Sequence, residues 1–186
     1  MNSDDLIRIL KDIVQKLKGA NISFYLTGGL VSSYYGEPRF TQDIDFVLQL
    51  SESHDAKRLI DSIGDNYFSD QELLTEAILN KSMAQLLHQE TFIRIDLHVG
   101  ELVPGSFERA REVEILPEVS LPILSKEDAI LTKLRWIQLG SHKSRRDVVM
   151  MLRRNTPTNL EFVREQAKIM KAEELLSELQ AQAEGL

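Results

Sequence analysis

The spacing of hydrophobic positions changes several times along the 186-residue chain, and each change marks an element. Leu6, Ile9, Leu10, Ile13, Val14 and Leu17 fall at steps of three and four, which predicts an amphipathic helix over 4–18 with Gly19 free to end it. Residues 22–26 read as a strand, Thr27-Gly28-Gly29 as a turn, 30–35 as a short helix and 44–50 as a second strand. Helices are expected over 53–63 and 70–79. Two apolar-rich runs, 83–88 and 92–99, are joined by Gln89-Glu90-Thr91 and predict a hairpin. In the second run Ile93, Ile95 and Leu97 alternate with Arg94, Asp96 and His98, the period of a strand with two unlike faces. Short strands follow near 112–116 and 119–124. Ser125 then opens a helix to about 139, with Asp128 as its capping partner, and helices over 144–154 and 159–183 close the chain.

This order predicts an α+β fold in which a small mixed sheet is flanked by helices and followed by a helical C-terminal tail. The expected division is a core over 1–124 and a helical region over 125–186 packed on it. Strict alternation at 93–98 and the acids at 43 and 45 then become the places to look for chemistry.

Composition narrows the function classes. The chain has no cysteine, which excludes disulfides, thiol catalysis and Cys-based zinc sites. No apolar run approaches the roughly 18 residues of a membrane span, and the acidic, polar start does not read as a secretion signal, so a cytoplasmic protein with no membrane partner is expected. The net charge of −7 argues against a general polyanion binder. Residues 142–154 run against that balance, with Lys143, Arg145, Arg146, Arg153 and Arg154 against Asp147 alone. That stretch suits either a solvated helix face or a surface for phosphates.

On a strand, residues two apart point the same way, so Asp43 and Asp45 share a face while Ile44, Phe46 and Leu48 take the other. Two like charges this close repel, and a divalent cation relieves them, because hard cations such as Mg²⁺ take carboxylate oxygens together with substrate phosphates. Taken alone, the pair fits solvated acids at a strand edge equally well. The Thr27-Gly28-Gly29 turn adds weight, since glycines admit a ligand close to the backbone and amides at a helix start attract phosphate. Arg39, four residues before the acids, is placed to contact phosphate or to pair with Asp43 or Asp45. The four histidines (54, 88, 98 and 142) show no metal spacing, although His98 shares the predicted face of Asp96.

Tyr25-Leu26-Thr27-Gly28-Gly29, followed by Gly36, Arg39, Thr41 and Asp43-Ile44-Asp45-Phe46-Val47, resembles the signature of the DNA polymerase β-like nucleotidyltransferase superfamily. Within it the stretch is most similar to the small bacterial branch that includes the AbiEii-type toxins of toxin–antitoxin systems. The resemblance implies the nucleotidyltransferase fold and transfer of a nucleoside monophosphate from an NTP to an acceptor hydroxyl or phosphate. It implies a metal triad of Asp43, Asp45 and a third acid, matched by Asp96, holding Mg²⁺ or Mn²⁺. It also implies nucleotide contacts from Gly28, Gly29, Arg39, Lys133 and Asp147, with Lys133 catalytic beside Asp43, Asp45 and Asp96. Lys133 matches a helical lysine of the family, and Asp147 matches the second acid of a later Asp-x-x-Asp element whose first acid is here Ser144. The acceptor implied ranges over RNA such as tRNA, protein and small molecules, and an antitoxin is an expected partner. The alternative is a nucleotidyltransferase-like domain without catalysis that serves as a binding or regulatory module.

Overall fold

A computed structural model describes residues 3–51 and 53–185. Helix α1 (Ser3–Gly19) places Ile9, Leu10, Ile13, Val14 and Leu17 in the core, each nearly sealed from solvent. The residue that reverses the chain after it is Asn21, in the left-handed region at φ 54°, and not Gly19. Asparagine tolerates that region because its short polar side chain bonds locally.

Strand β1 (Phe24–Thr27) runs straight into helix α2 (Gly28–Tyr35). It pairs antiparallel with β2 (Asp43–Leu48), with Thr27 opposite Asp45. Helix α3 (Ser53–Ile63), the two-residue strand β3 (Tyr67–Phe68) and helix α4 (Gln71–Asn80) lead to the hairpin of β4 (Met83–His88) and β5 (Arg94–Val99). β5 then lies parallel to β2. The short helix α5 (Ser106–Arg109) precedes a second antiparallel pair, β6 (Arg111–Leu116) and β7 (Val119–Ile123), and β7 joins β1 in parallel. Among the described residues this makes one mixed sheet of seven strands in the order β3-β4-β5-β2-β1-β7-β6.

β1, β2 and β5 sit at the centre of that order. Tyr25, Leu26, Ile44, Phe46, Val47, Leu48, Ile95 and Leu97 are almost wholly buried. The sheet centre is therefore apolar on both faces, except where Asp43, Asp45 and Asp96 interrupt it near one end.

Helices α6 (Lys126–Gln138), α7 (Lys143–Arg153), α8 (Leu160–Ile169) and α9 (Glu173–Gly185) follow the last strand. The hydroxyl of Ser125 accepts from the Asp128 amide at 3.1 Å and donates to its carboxylate at 2.7 Å, so the expected cap opens α6. Asp128 is fully buried and also receives two bonds of 2.9 Å from Arg109, which ties α5 to the start of α6.

Three elements differ from the sequence expectation. β3 and α5 are too short to show a period. The helix expected over 159–183 is broken between α8 and α9, where Lys171 adopts φ 55°. The side-chain amide of Gln138 donates to the carbonyls of Met170 and Lys171 at that break, satisfying groups the interrupted helix leaves open. Among the described residues no helix is long and apolar enough to cross a membrane.

Candidate active site

The parallel register of β2 and β5 sets Asp45 directly beside Asp96 and Asp43 beside Arg94. Strand parity puts Asp43, Asp45 and Asp96 on one face, and all three line a single cleft of about 300 Å³. Each carboxylate is turned to a protein partner. Asp43 accepts from the Thr41 hydroxyl at 2.7 Å and meets the Arg94 guanidinium at 3.4 Å. Asp96 accepts from the Gln85 amide at 2.9 Å, and Asp45 accepts from the Gly29 backbone at 3.4 Å. Among the described residues, no three acidic or histidine side chains are already closed around one point.

The glycine pair makes room for this arrangement. Gly28 sits at φ 68°, and a Cβ there would lie 1.8 Å from a carboxylate oxygen of Asp45. A Cβ on Gly29 would lie 2.5 Å from the Thr41 hydroxyl. The chain therefore leaves β1 and starts α2 tight against the acids, with its first amides facing them.

The opposite wall comes from helices. Lys133 on α6 and Asp147 on α7 are both buried and joined at 2.9 Å. Arg39, from the loop before β2, reaches the same carboxylate with two bonds of 2.9 and 3.1 Å. Arg39 thus pairs with Asp147 and not with Asp43 or Asp45, while it still lines the cleft together with Lys133. Ser144 also lines the cleft and shares a hydrogen bond of 2.9 Å with Ser141.

Asp45 in the cleft and Asp147, the partner of its Lys133 and Arg39, are shifted in opposite directions. Burial, with Asp43 and Asp96 beside it, pushes the Asp45 carboxyl up to about 6, against the pull of the Gly29 amide and Lys133. Burial also acts on Asp147, but the hydrogen bonds and charges of Arg39 and Lys133 outweigh it and hold that carboxyl below its ordinary value. Burial lowers His98, with Asp96 opposing the shift.

The basic stretch is largely occupied. Arg145 pairs with Glu178, Arg146 with Glu37 at 2.8 Å, and Arg154 donates to the carbonyls of Tyr34 and Gly36. Lys143 differs in that it lines the cleft.

The cleft also holds Met83, His98 and Trp136, and Gln85 is bound to Asp96. A hairpin turning over Gln89-Glu90-Thr91 would have put Ala84 opposite Asp96. Instead Phe92, at φ 55°, belongs to the turn and shifts the register by one, so Gln85 is opposite. Polarity carried the signal, because Ala84 is buried and an alanine offers Asp96 no donor.

Solved structures share this fold. The antigenic nucleotidyltransferase-like protein of Paracoccidioides brasiliensis is similar over 97% of this chain and 94% of its own, at 16% identity and TM-score 0.58. The solution structure of the antibiotic-resistance factor ANT(2'')-Ia is similar over 99% and 94%, at 12% identity and TM-score 0.55. JHP933 of Helicobacter pylori is similar over 99% and 92%, at 16% identity and TM-score 0.51. The fold is that of the nucleotidyltransferase-like proteins. The family described as nucleotidyl transferase AbiEii toxin, Type IV TA system, matches residues 8–178, and the chain belongs to that family. No curated protein matches the sequence.

Proposed function

We propose that the protein transfers a nucleoside monophosphate from an NTP to an acceptor hydroxyl or phosphate, with pyrophosphate leaving. The observation that carries this reading is the register of β2 on β5, which gives three carboxylates one face of one cleft. For a hydroxyl acceptor, its oxygen forms a bond to the α-phosphorus as the bond to pyrophosphate breaks, and the hydroxyl proton passes to Asp96. Gly28 and Gly29 offer backbone amides to the triphosphate. Lys133 and Arg39 supply positive charge where negative charge builds on the leaving group.

The donor set fits Mg²⁺ or Mn²⁺. It consists of hard oxygen ligands, and the raised Asp45 records burial beside like-charged Asp43 and Asp96, a cost that a divalent cation would offset. Asp43, Asp45 and Asp96 would hold the ion, which when bound polarises the phosphoryl oxygens. Family membership supports the further reading that the protein is the toxin of a toxin–antitoxin pair with an antitoxin as partner. We take RNA, such as tRNA, as the acceptor class, with Lys143 on its approach to the cleft.

The test is incubation with each α-labelled NTP, Mg²⁺ and total cellular RNA, followed by mass analysis of the labelled product. Asp45→Asn should lower transfer by on the order of a thousandfold, as expected for losing several kcal/mol of charge stabilisation. Equal labelling by wild type and Asp45→Asn would overturn the assignment of the acids.

A further inference from the structure

Trp136 is the sole tryptophan of the chain and is 37% exposed. Its neighbours on α6 from Ala129 to Leu134 are buried. Lys133 and Trp136 are three residues apart and therefore share one face of the helix. Both border the 300 Å³ cleft and also a small cavity of about 20 Å³ behind it, together with Gly28, Asp45 and His98. The imidazole of His98 meets the indole edge-on, with ring centroids 6.2 Å apart at 60°. Two partly exposed apolar side chains complete this part of the wall, Leu102 at the small cavity and Met83 at the large one.

A large ring left open in a cleft whose other walls are acids, amides and cations is suited to a ligand that is charged at one end and flat and aromatic at the other. An NTP has that form. Its base is joined to its phosphates through one ribose, and the indole stands one helical turn from the Lys133 ammonium. We infer that Trp136, braced edge-on by His98, is the platform on which the base of the bound NTP stacks, so that α6 holds both ends of the nucleotide. This rests on the nucleotidyltransferase reading above. Stacking of this kind is tolerant of base identity, since every base has a π-face.

A lone tryptophan at the site makes its own emission the probe. Each of the four common NTPs, and inorganic tripolyphosphate, is titrated with Mg²⁺ into wild type, Trp136→Phe and Trp136→Ala. Calorimetry reads affinity, and emission is followed in the wild type. The expected result is that the tightest NTP quenches the emission and tripolyphosphate does not. Trp136→Ala should weaken that NTP roughly tenfold and Trp136→Phe about threefold or less, with tripolyphosphate affinity alike in all three proteins. NTP binding seen by calorimetry with unchanged emission would overturn the inference alone, and so would an equal loss of NTP and tripolyphosphate affinity in Trp136→Ala. Failure of every NTP to bind the wild type would overturn the nucleotidyltransferase reading and this inference with it.

Discussion

Asp45 lines the cleft, Asp147 is buried and anchors the Lys133 and Arg39 that line it, and the protein treats the two carboxylates oppositely. Asp147 receives a lysine and a bidentate arginine, and its charged form is stabilised. Asp45 receives one long amide contact and two like-charged neighbours, and its charged form is penalised. The strand floor is thus built with an excess of negative charge, while the opposite wall sets two cations, Lys133 and Arg39, on one carboxylate. A satisfied buried acid holds the molecule together, and an unsatisfied one marks where a ligand belongs.

Breaking the satisfied side should have the largest effect on folding. Asp147→Ala leaves Lys133 buried without its carboxylate and should cost about 3 kcal/mol of stability, measured by urea unfolding at pH 7. Because the folded-state value of Asp147 is depressed, its contribution is present above the ordinary carboxylate value of about 4 and is lost as pH falls through the folded value. The difference between wild type and Asp147→Ala should therefore shrink below about pH 4. A difference that stayed constant to pH 3 would mean that the ion pairs contribute little.

Removing the unsatisfied charge should act the other way. The folded-state value of Asp45 is raised, so the native state binds the extra proton between 3.8 and about 6, and stability falls as pH rises through that window. In metal-free buffer, Asp45→Asn should be more stable than wild type by roughly 2 kcal/mol at pH 8, with the gap closed near pH 3. Saturating Mg²⁺ with an NTP should reverse the order, since only the wild type gains from that binding. A variant less stable than wild type at pH 8 without metal would show that Asp45 is not strained by its neighbours.

The smallest effect is expected on the outer surface of the helical wall. Exposed pairs such as Arg146 with Glu37 contribute well under about 1 kcal/mol. Replacing Arg145 and Arg146 together should barely change stability. Lys143→Ala, by contrast, should reduce the salt slope of RNA binding by about one, measured as log affinity against log salt. A larger reduction in the double arginine variant would move the RNA path from the cleft mouth to the outer face of α7.

How much of this was legible in the sequence follows from the range of each contact. Strand parity made Asp43 and Asp45 neighbours on one face, and the alternation around Asp96 put it on the polar face of its own strand. That the two strands lie side by side came from the resemblance, because some fifty residues and four elements separate them. The left-handed turn at Phe92 was hidden, since a phenylalanine there carries no propensity signal, although the polarity of Gln85 beside apolar Ala84 left a trace of the register it sets. The break at Lys171 was hidden for the same reason, as no glycine or proline stands there. Arg39 and Asp147 were each singled out, but their bond spans 108 residues and no local pattern reports it.

That span has a consequence for synthesis. Translation delivers Asp43, Asp45 and Asp96 first, on β2 and β5. Lys133 and Asp147 arrive later, and the Arg39 guanidinium lacks its carboxylate partner until α7 has been made. A product cut short between residues 133 and 147 would carry the acids, Arg39 and Lys133 but would lack the carboxylate that holds both cations in place.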